Sequence, residues 1–149
     1  CASGLGLGVA GVGIPDIPIF TAAIFKSVYE TALSFGYDYN RPDERMFILR
    51  LIEVAMKQGY DFAENNKELN EIIDSGLSVE GDFEEQKQRT AQSMTDAMIY
   101  MKFLQGMFII GAVGGAWDMV YMNRITNYAI LKYKRRFLVK KMGETEDKI

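Results

Sequence analysis

Apolar residues recur along this chain at the three- and four-residue spacing of α-helices, and no stretch alternates with the two-residue period of a strand. In the first such stretch, from about Ile17 to Phe35, Ile24 and Val28 share one stripe with Phe35. The same spacing predicts further helices over about 42–58 and 61–76, from about 83 onward, and over about 123–141. We therefore predict an all-α fold in the form of a compact helical bundle. Residues 1–149 are predicted to form a single helical domain.

Proline, aspartate and glycine mark both ends of the first predicted helix. Asp16 lies between Pro15 and Pro18, where a carboxylate can accept hydrogen bonds from the first free backbone N–H groups of a helix. Proline is tolerated in a first helical turn, so Asp16 and Pro18 are predicted to form a structural cap. Gly36 is predicted to end the helix in the left-handed conformation.

The second predicted helix begins within the segment GYDYNRPDERMF. Asn40 is its predicted capping residue, and Gly59 is predicted to end it. The charged residues Arg50, Glu53 and Lys57 recur at helical spacing and are predicted to form a solvent-exposed face.

The stretch GLGLGVAGVGIPDIP raises the question of a nucleotide site, because Gly6, Gly8 and Gly11 spell G-x-G-x-x-G. A dinucleotide-binding loop needs a strand before the glycines and an uninterrupted helix after them. Only five residues precede Gly6, and Pro15 and Pro18 interrupt the segment after the glycines. The context contradicts the motif, and no cofactor is predicted.

Close helix packing explains the glycines better. Gly4 and Gly8 are four residues apart, as are Gly111 and Gly115 in a second glycine-rich segment. Small residues at this spacing clear one face of a helix and let two backbones approach each other. Because each glycine costs an isolated helix up to about 1 kcal/mol relative to alanine, tight packing must offset that loss. These four glycines are the predicted helix-packing positions.

The apolar segments are short for a membrane span. The uncharged run from Phe103 to Trp117 lies between Lys102 and Asp118 and is shorter than the roughly 20 residues of a spanning helix. Two interpretations remain, namely a re-entrant or interfacial insertion into a bilayer and a buried hairpin within the protein core. The length favours the core hairpin.

Composition excludes several kinds of site. The chain has no histidine, which removes Ser-His and Cys-His catalysis and every histidine-containing zinc site. Its net charge of -3 argues against a dedicated nucleic-acid binder. We predict no catalytic, cofactor-binding or metal-binding residue, and the sequence favours a protein that is not an enzyme.

The chain begins with Cys1, its single cysteine, rather than with methionine. This start predicts a fragment or a processed product, and truncation is the preferred interpretation. The alternative is a bacterial lipoprotein attached through Cys1, which Ala2 and Ser3 would suit. One cysteine cannot form an intramolecular disulfide, so an oxidising compartment is not indicated.

The C-terminal segment YAILKYKRRFLVKK carries the strongest local signal for function. Aromatic residues share one helical stripe there with basic residues beside it, a pattern that suits the surface of an anionic membrane. The predicted lipid-binding residues are Lys132, Tyr133, Arg135, Arg136, Phe137 and Lys140. The alternative is a solvated helix whose basic residues face the acidic segment 64–85.

The order of these motifs resembles that of the EcsC family of bacterial proteins. A glycine-rich stretch runs into a D-x-P element (GVGIPDIP), followed by an aromatic-glycine-aromatic-acid turn (SFGYDYN) and an ERMFILRLIEVA helix. A second glycine-rich segment (GMFIIGAVGGAWDMVYMN) and a basic C-terminal helix complete the match, over about residues 4–140. The resemblance implies an all-helical protein associated with an ABC-transporter locus. Because family members usually have a helical region before the glycine stretch, it also implies a fragment of a longer domain.

Together these features predict a non-enzymatic, membrane-peripheral accessory or scaffold protein. Its expected partner is membrane lipid or a membrane transporter, and its expected location is the bacterial cytoplasm or the cytoplasmic face of the membrane. No nucleic-acid partner is expected, and a homo-oligomer stays open. One alternative is a hydrolase or peptidase that uses buried carboxylates, with Asp16 and Asp118 as candidates. Another is a soluble domain that binds a protein through the acidic segment 64–85.

Overall fold

A computed structural model describes residues 16–76, 78–108 and 114–147, with side chains placed for 21–76, 78–99 and 120–147. Within these residues the chain forms α-helices and no strand. The helices are α1 (Asp16–Ser34), α2 (Pro42–Met56), α3 (Gly59–Ser75), α4 (Phe83–Phe108) and α5 (Gly114–Asp147). The predicted all-α helical bundle is confirmed.

Helix α2 lies at the centre of the bundle. Every residue from Met46 to Met56 is buried, because α3, α4 and α5 all pack against this helix. Helix α1 packs against α5, and α3 also contacts α5. The largest fully buried apolar side chains come from four of the helices and are Tyr133, Ile24, Ile48, Leu51, Ile52, Leu69 and Ile125.

Helices α1 and α5 run parallel to each other. The hydroxyl oxygens of Ser27 and Thr126 lie 2.7 Å apart. About two turns further on, the ring of Phe35, the residue after α1, stacks on that of Tyr133, with 6.4 Å between centroids. Because both residue numbers increase from the first contact to the second, the two helices point in the same direction.

Helices α2 and α4 run antiparallel. The Thr90 hydroxyl donates a 2.8 Å hydrogen bond to the Leu49 carbonyl, and Gln86 Nε2 donates a 2.8 Å bond to Glu53 Oε1. The residue number therefore rises along α2 while it falls along α4. This register leaves the start of α2 beside the middle of α4.

The predicted end of α1 is confirmed. The helix begins at Asp16 and ends at Ser34, and Gly36 has a φ of +87° in the left-handed region. The Tyr37 N–H then donates a 2.9 Å hydrogen bond to the Ala32 carbonyl, which satisfies one of the last free carbonyls of the helix. A residue with a side chain would be strained at Gly36.

Helix α2 begins at Pro42 as predicted, but the residues predicted to cap and to end it are wrong. The residue before α2 is Arg41 rather than Asn40, and it forms no side-chain cap hydrogen bond. The Asn40 N–H instead donates to Asp38 Oδ1 at 2.9 Å, which places Asn40 in the preceding turn. Helix α2 ends at Met56 because the next residue is extended, and Gly59 is the first residue of α3.

The predicted solvent face of α2 is also wrong. Arg50 and Glu53 are buried, and Lys57 is half-buried. Helices α3 and α4 cover this side of α2 and supply charges that match, such as Glu68, whose Oε2 lies 2.9 Å from Arg50 Nη2. Charged residues at helical spacing are equally compatible with a solvated face and with a face buried between helices of complementary charge.

Several predicted positions lie at or beyond the edges of the described residues. Gly4, Gly8 and Gly111 lie outside them, and Gly115 is the second residue of α5. Asp16 and Pro18 lie in the first turn of α1, but their side chains are outside the described positions. The packing role of the glycines and the capping role of Asp16 and Pro18 stay predictions. No helix in the described part of the chain combines the length and apolar character needed to cross a membrane.

Candidate functional site

The C-terminal half of α5 contains all six predicted lipid-binding residues, and the helices around it divide them between different faces. Ile125, Ala129 and Tyr133 are fully buried at four-residue spacing and form the inner face of the helix. Helices α1, α2 and α3 all contact α5. What remains for solvent or a partner is the side of α5 that faces away from these three helices.

Tyr133 and Arg136 join α5 to the first turn of α2. The Tyr133 hydroxyl and Arg136 Nη1 each donate a 2.6 Å hydrogen bond to Glu44 Oε2, and Glu44 is itself buried. The Arg136 guanidinium lies over the rings of Tyr37 and Phe47, 4.0 Å and 4.2 Å from their centroids. Burial raises the pKa of Tyr133, and the Glu44 charge raises it further. The cluster is satisfied internally and holds the helix in place.

Lys132 and Arg135 contact α3. Lys132 Nζ donates a 2.6 Å hydrogen bond to Asn70 Oδ1, and Arg135 donates two 2.7 Å bonds to the carboxylate of Asp74. The hydrogen bonds from Arg135 hold the pKa of Asp74 below its ordinary value. Burial lowers the pKa of Lys132, and the charge of Arg135 adds to that effect. These contacts are those expected if the basic helix faces the segment 64–85.

The opposite side of α5 exposes large apolar side chains between lysines. Five such side chains are between 38% and 64% exposed, and they recur at helical spacing. Lys134 and Lys141 are exposed and lie on the same stripe. We call this surface the α5 outer face, and it consists of Ile130, Leu131, Lys134, Phe137, Leu138, Lys141 and Met142.

The structure distributes the six predicted residues over three situations. Lys132 and Tyr133 are buried, and Arg136 is half-buried against Glu44. Arg135 is exposed at an edge of the α5 outer face, and Phe137 belongs to that face. Lys140 is exposed seven residues after Tyr133 and therefore lies on the same side of the helix as Tyr133. Lipid binding by these residues stays a prediction, and the burial of Lys132 and Tyr133 moves the candidate surface to the other side of the helix.

Most residues of the α5 outer face were not predicted from the sequence. A signal for it was present, because Leu131 and Leu138 are seven residues apart, as are Lys134 and Lys141. Residues seven apart lie on nearly the same side of a helix, so this pairing describes a second amphipathic stripe. The predicted aromatic stripe divides between the two sides of the helix, because Tyr133 is buried and Phe137 is 38% exposed on the α5 outer face.

The buried carboxylates of the described residues have cationic partners. Besides Glu44, Glu53 lies 2.7 Å from Arg50 Nη1 and 3.2 Å from Arg89 Nη2, and accepts a hydrogen bond from Gln86. Burial raises the pKa of Glu53, but the hydrogen bonds from Gln86 and Arg50 outweigh it and the net shift is downward. Ion pairing and hydrogen bonding thus account for both carboxylates without a substrate.

The predicted catalytic alternatives, Asp16 and Asp118, have side chains outside the described positions. In the part of the chain that the structure describes, no group of three or more aspartate, glutamate, cysteine or histidine residues is arranged to hold a metal ion.

Two adjoining cavities, of about 380 and 410 Å³, open near the C-terminal end of α5 and share Tyr37, Asp43, Arg136 and Lys140. Their charged walls are largely matched, since Asp43 pairs with Arg41 at 3.1 Å and Arg136 pairs with Glu44. Hydrogen bonds from Arg41 outweigh the effect of burial and lower the pKa of Asp43. The aromatic and mixed-charge walls do not select a ligand of one charge.

Comparison with known proteins gives one match. The model of the EcsC protein family matches residues 1–138, which include α1 to α4 and most of α5. A search of curated proteins and a search of solved structures each found no significant match. The matched range contains the turn around Gly36, the central helix α2 and the inner face of α5. The chain belongs to the EcsC protein family.

Proposed function

We propose that this protein is a non-enzymatic, membrane-peripheral accessory protein that binds anionic lipid through the α5 outer face. The observation that supports this proposal is the exposure of five large apolar side chains on one side of α5, with Lys134 and Lys141 between them. A helix of this kind lies in the plane of the membrane interface, with its apolar side among the acyl chains and its lysines at the headgroups.

Two free-energy terms favour this mode of binding. Apolar surface that leaves water contributes about 25 cal/mol per Å². Each lysine near an anionic surface contributes about 1 kcal/mol. Because the net charge of the chain is -3, attraction to an anionic membrane requires that the lysines of the α5 outer face point toward the lipid. The ion pair between Arg135 and Asp74 neutralises a carboxylate of α3 beside this face and reduces repulsion from the membrane.

The family supports a place of action at a membrane. The resemblance to EcsC proteins implies association with a transporter locus, and a transporter presents its cytoplasmic surface beside anionic lipid headgroups. We therefore propose the cytoplasmic face of a bacterial membrane as the location. The lipid surface is the direct partner in this proposal, and a membrane transporter is the second.

The test is vesicle flotation of the full chain, with phosphatidylcholine alone and with added phosphatidylglycerol. Leu131→Ser combined with Leu138→Ser is expected to reduce binding to the anionic vesicles about tenfold or more, because two side chains lose most of their apolar contribution. Ile99→Ser on α4 combined with Leu33→Ser on α1 is the matched control, since these side chains are 61% and 54% exposed, against 61% and 49% for Leu131 and Leu138. The proposal would be contradicted if the wild-type chain floated with neither type of vesicle, or if the control lost as much binding as the Leu131/Leu138 variant.

A further inference from the structure

A groove of about 350 Å³ lies between α1, α2 and α4, and among the described residues none from α5 lines it. Its floor contains the buried side chains of Ile48, Leu49 and Met94. Its walls include the half-buried rings of Phe25 and Tyr29. The groove is therefore mostly apolar, and it is separate from the α5 outer face.

The packing of the bundle explains why this groove exists. Among the described residues, helix α1 packs mainly against α5 and α4 packs mainly against α2, which leaves space between α1 and α4. Small residues on the facing side of α4, such as Ala91 and Thr90, leave space that larger side chains would fill. The Thr90 hydroxyl donates to the Leu49 carbonyl and so adds no unsatisfied polar group to the floor.

One end of the groove carries an unmatched positive charge. Arg45 lines the groove, and its guanidinium forms no ion pair with any described residue. Its Nε donates one long hydrogen bond of 3.4 Å to the Tyr39 carbonyl, and the Tyr39 ring stacks on Tyr29 at 4.4 Å. These contacts place the arginine beside the aromatic wall.

The cation at the other end of the groove is already paired. Lys87 Nζ lies 2.9 Å from Glu84 Oε1 and 5.4 Å from the centroid of the Phe83 ring. Along the antiparallel register of α2 and α4, Lys87 is beside the C-terminal part of α2, and Arg45 is near the start of α2. Among the described residues that line the groove, Arg45 is therefore the cation that is free to bind an anionic group.

We propose that this groove binds a long-chain fatty acid, with the carboxylate on Arg45 and the acyl chain running past Ile48 and Phe25 toward Phe83. The planar guanidinium donates two parallel hydrogen bonds to a carboxylate, which a lysine does not. The volume is at the small end of the range of ligand pockets, so it suits one acyl chain rather than a two-chain lipid. The ligand is thus a single-chain amphiphile with a carboxylate head.

The test uses cis-parinaric acid, a fatty acid whose fluorescence rises in an apolar site, titrated into the full chain. Saturable binding and displacement by oleate are expected. Ala91→Trp fills the groove from an exposed position and is expected to weaken binding at least tenfold. Gln88→Trp is the matched control, because it places the same side chain on an exposed position of the same helix outside the groove, and its binding is expected to equal the wild type.

Arg45→Gln tests the headgroup assignment. It is expected to weaken binding of the fatty acid about tenfold while oleyl alcohol, which lacks the carboxylate, competes equally well in both proteins. Thermal unfolding of each variant near the wild-type temperature establishes that the fold is retained.

Three results would overturn the proposal. They are absence of saturable binding by the wild type, equal losses for Ala91→Trp and Gln88→Trp, and unchanged fatty-acid affinity in Arg45→Gln. A change of oligomeric state in Ala91→Trp without fatty-acid binding would assign the groove to a second copy of the chain and also overturn it. The two proposals are independent, because the α5 outer face and the groove share no residue. Loss of fatty-acid binding would therefore leave vesicle binding by the α5 outer face unaffected, and the reverse also holds.

Discussion

The Tyr133 hydroxyl donates a 2.6 Å hydrogen bond to Glu44 Oε2, and this contact joins α5 to the start of α2 across 89 positions of the sequence. Tyr133 is fully buried, and Arg136 donates to the same carboxylate oxygen. Hydrogen bonds to a charged acceptor are shorter and stronger than those between neutral groups. Together with the burial of Ile125 and Ala129, this contact holds the Tyr133 side of α5 against the core and leaves the opposite side exposed.

The first prediction compares two buried tyrosines. Tyr133→Phe is expected to lower the free energy of unfolding by about 2 kcal/mol, because its hydroxyl bonds a charged carboxylate. Tyr128→Phe is expected to lower it by about 1 kcal/mol. The Tyr128 hydroxyl donates at 2.8 Å to the neutral amide oxygen of Asn66. Urea unfolding of both variants measures the difference, and equal losses would contradict a special role for the Glu44 charge.

The second prediction concerns Glu53, whose carboxylate bonds Arg50, Arg89 and Gln86. Glu53→Gln is expected to lower the free energy of unfolding by about 3 kcal/mol, since the buried Arg50 loses its buried anionic partner and keeps only the exposed Glu68. Glu84→Gln is the control and is expected to change stability by less than about 1 kcal/mol, because the Lys87–Glu84 pair is exposed. Urea unfolding near neutral pH checks both.

The lowered pKa of Glu53 predicts a pH dependence. Its contribution to stability is present above the ordinary glutamate pKa of 4.5 and is lost as the pH falls through the lower value in the folded protein. Wild-type stability is therefore expected to decrease on acidification below about pH 4.5, and that of Glu53→Gln to decrease less. Identical acid profiles for the two proteins would show that other carboxylates dominate.

The third prediction is that two glycine-to-alanine substitutions change the free energy of unfolding in opposite directions. Gly36→Ala is expected to destabilise the protein by about 1 kcal/mol, because Gly36 has a φ of +87° that an alanine adopts only with strain. Gly143→Ala is expected to stabilise it by up to about 1 kcal/mol, because Gly143 is helical and alanine favours a helix. An added Cβ meets no atom within 4 Å at either position. Thermal unfolding of both variants measures the signs.

The fourth prediction concerns the charges of the α5 outer face. Lys134→Gln combined with Lys141→Gln is expected to weaken binding to anionic vesicles about tenfold or more, because each lysine contributes about 1 kcal/mol there. Lys26→Gln combined with Lys67→Gln removes the same charge from exposed positions of α1 and α3 and is expected to have a smaller effect.

Salt provides an independent check of the same prediction. Raising ionic strength from about 0.1 to 1 M shortens the screening length from about 10 to 3 Å. Wild-type binding is expected to weaken more on this change than binding by the Lys134/Lys141 double variant. Flotation that is insensitive to both salt and lysine replacement would assign the binding to the apolar residues alone.

Local chemistry predicted part of the fold. The role of Gly36 at the end of α1 was predictable from the sequence, because it depends only on the left-handed backbone conformation that glycine adopts readily. Packing against neighbouring helices does not change that preference. Asn40 does not cap α2 because Arg41 is the residue directly before the helix, and Asn40 lies in the preceding turn, where its N–H bonds Asp38 Oδ1. The buried positions of Arg50 and Glu53 were not predictable, because their partners Glu68, Gln86 and Arg89 belong to two other helices.

The sequence by itself determined the all-α class, the approximate helices and the membership of the EcsC family, because each depends on the spacing and order of residue types along one chain. Only the tertiary structure decided which stripe of α5 is buried. The helix has two amphipathic stripes, one through Tyr133 and one through Leu131 and Leu138. The spacing of the residues alone does not indicate which of the two is buried. Helices α1, α2 and α3 cover the first and satisfy its polar atoms, which leaves the second exposed.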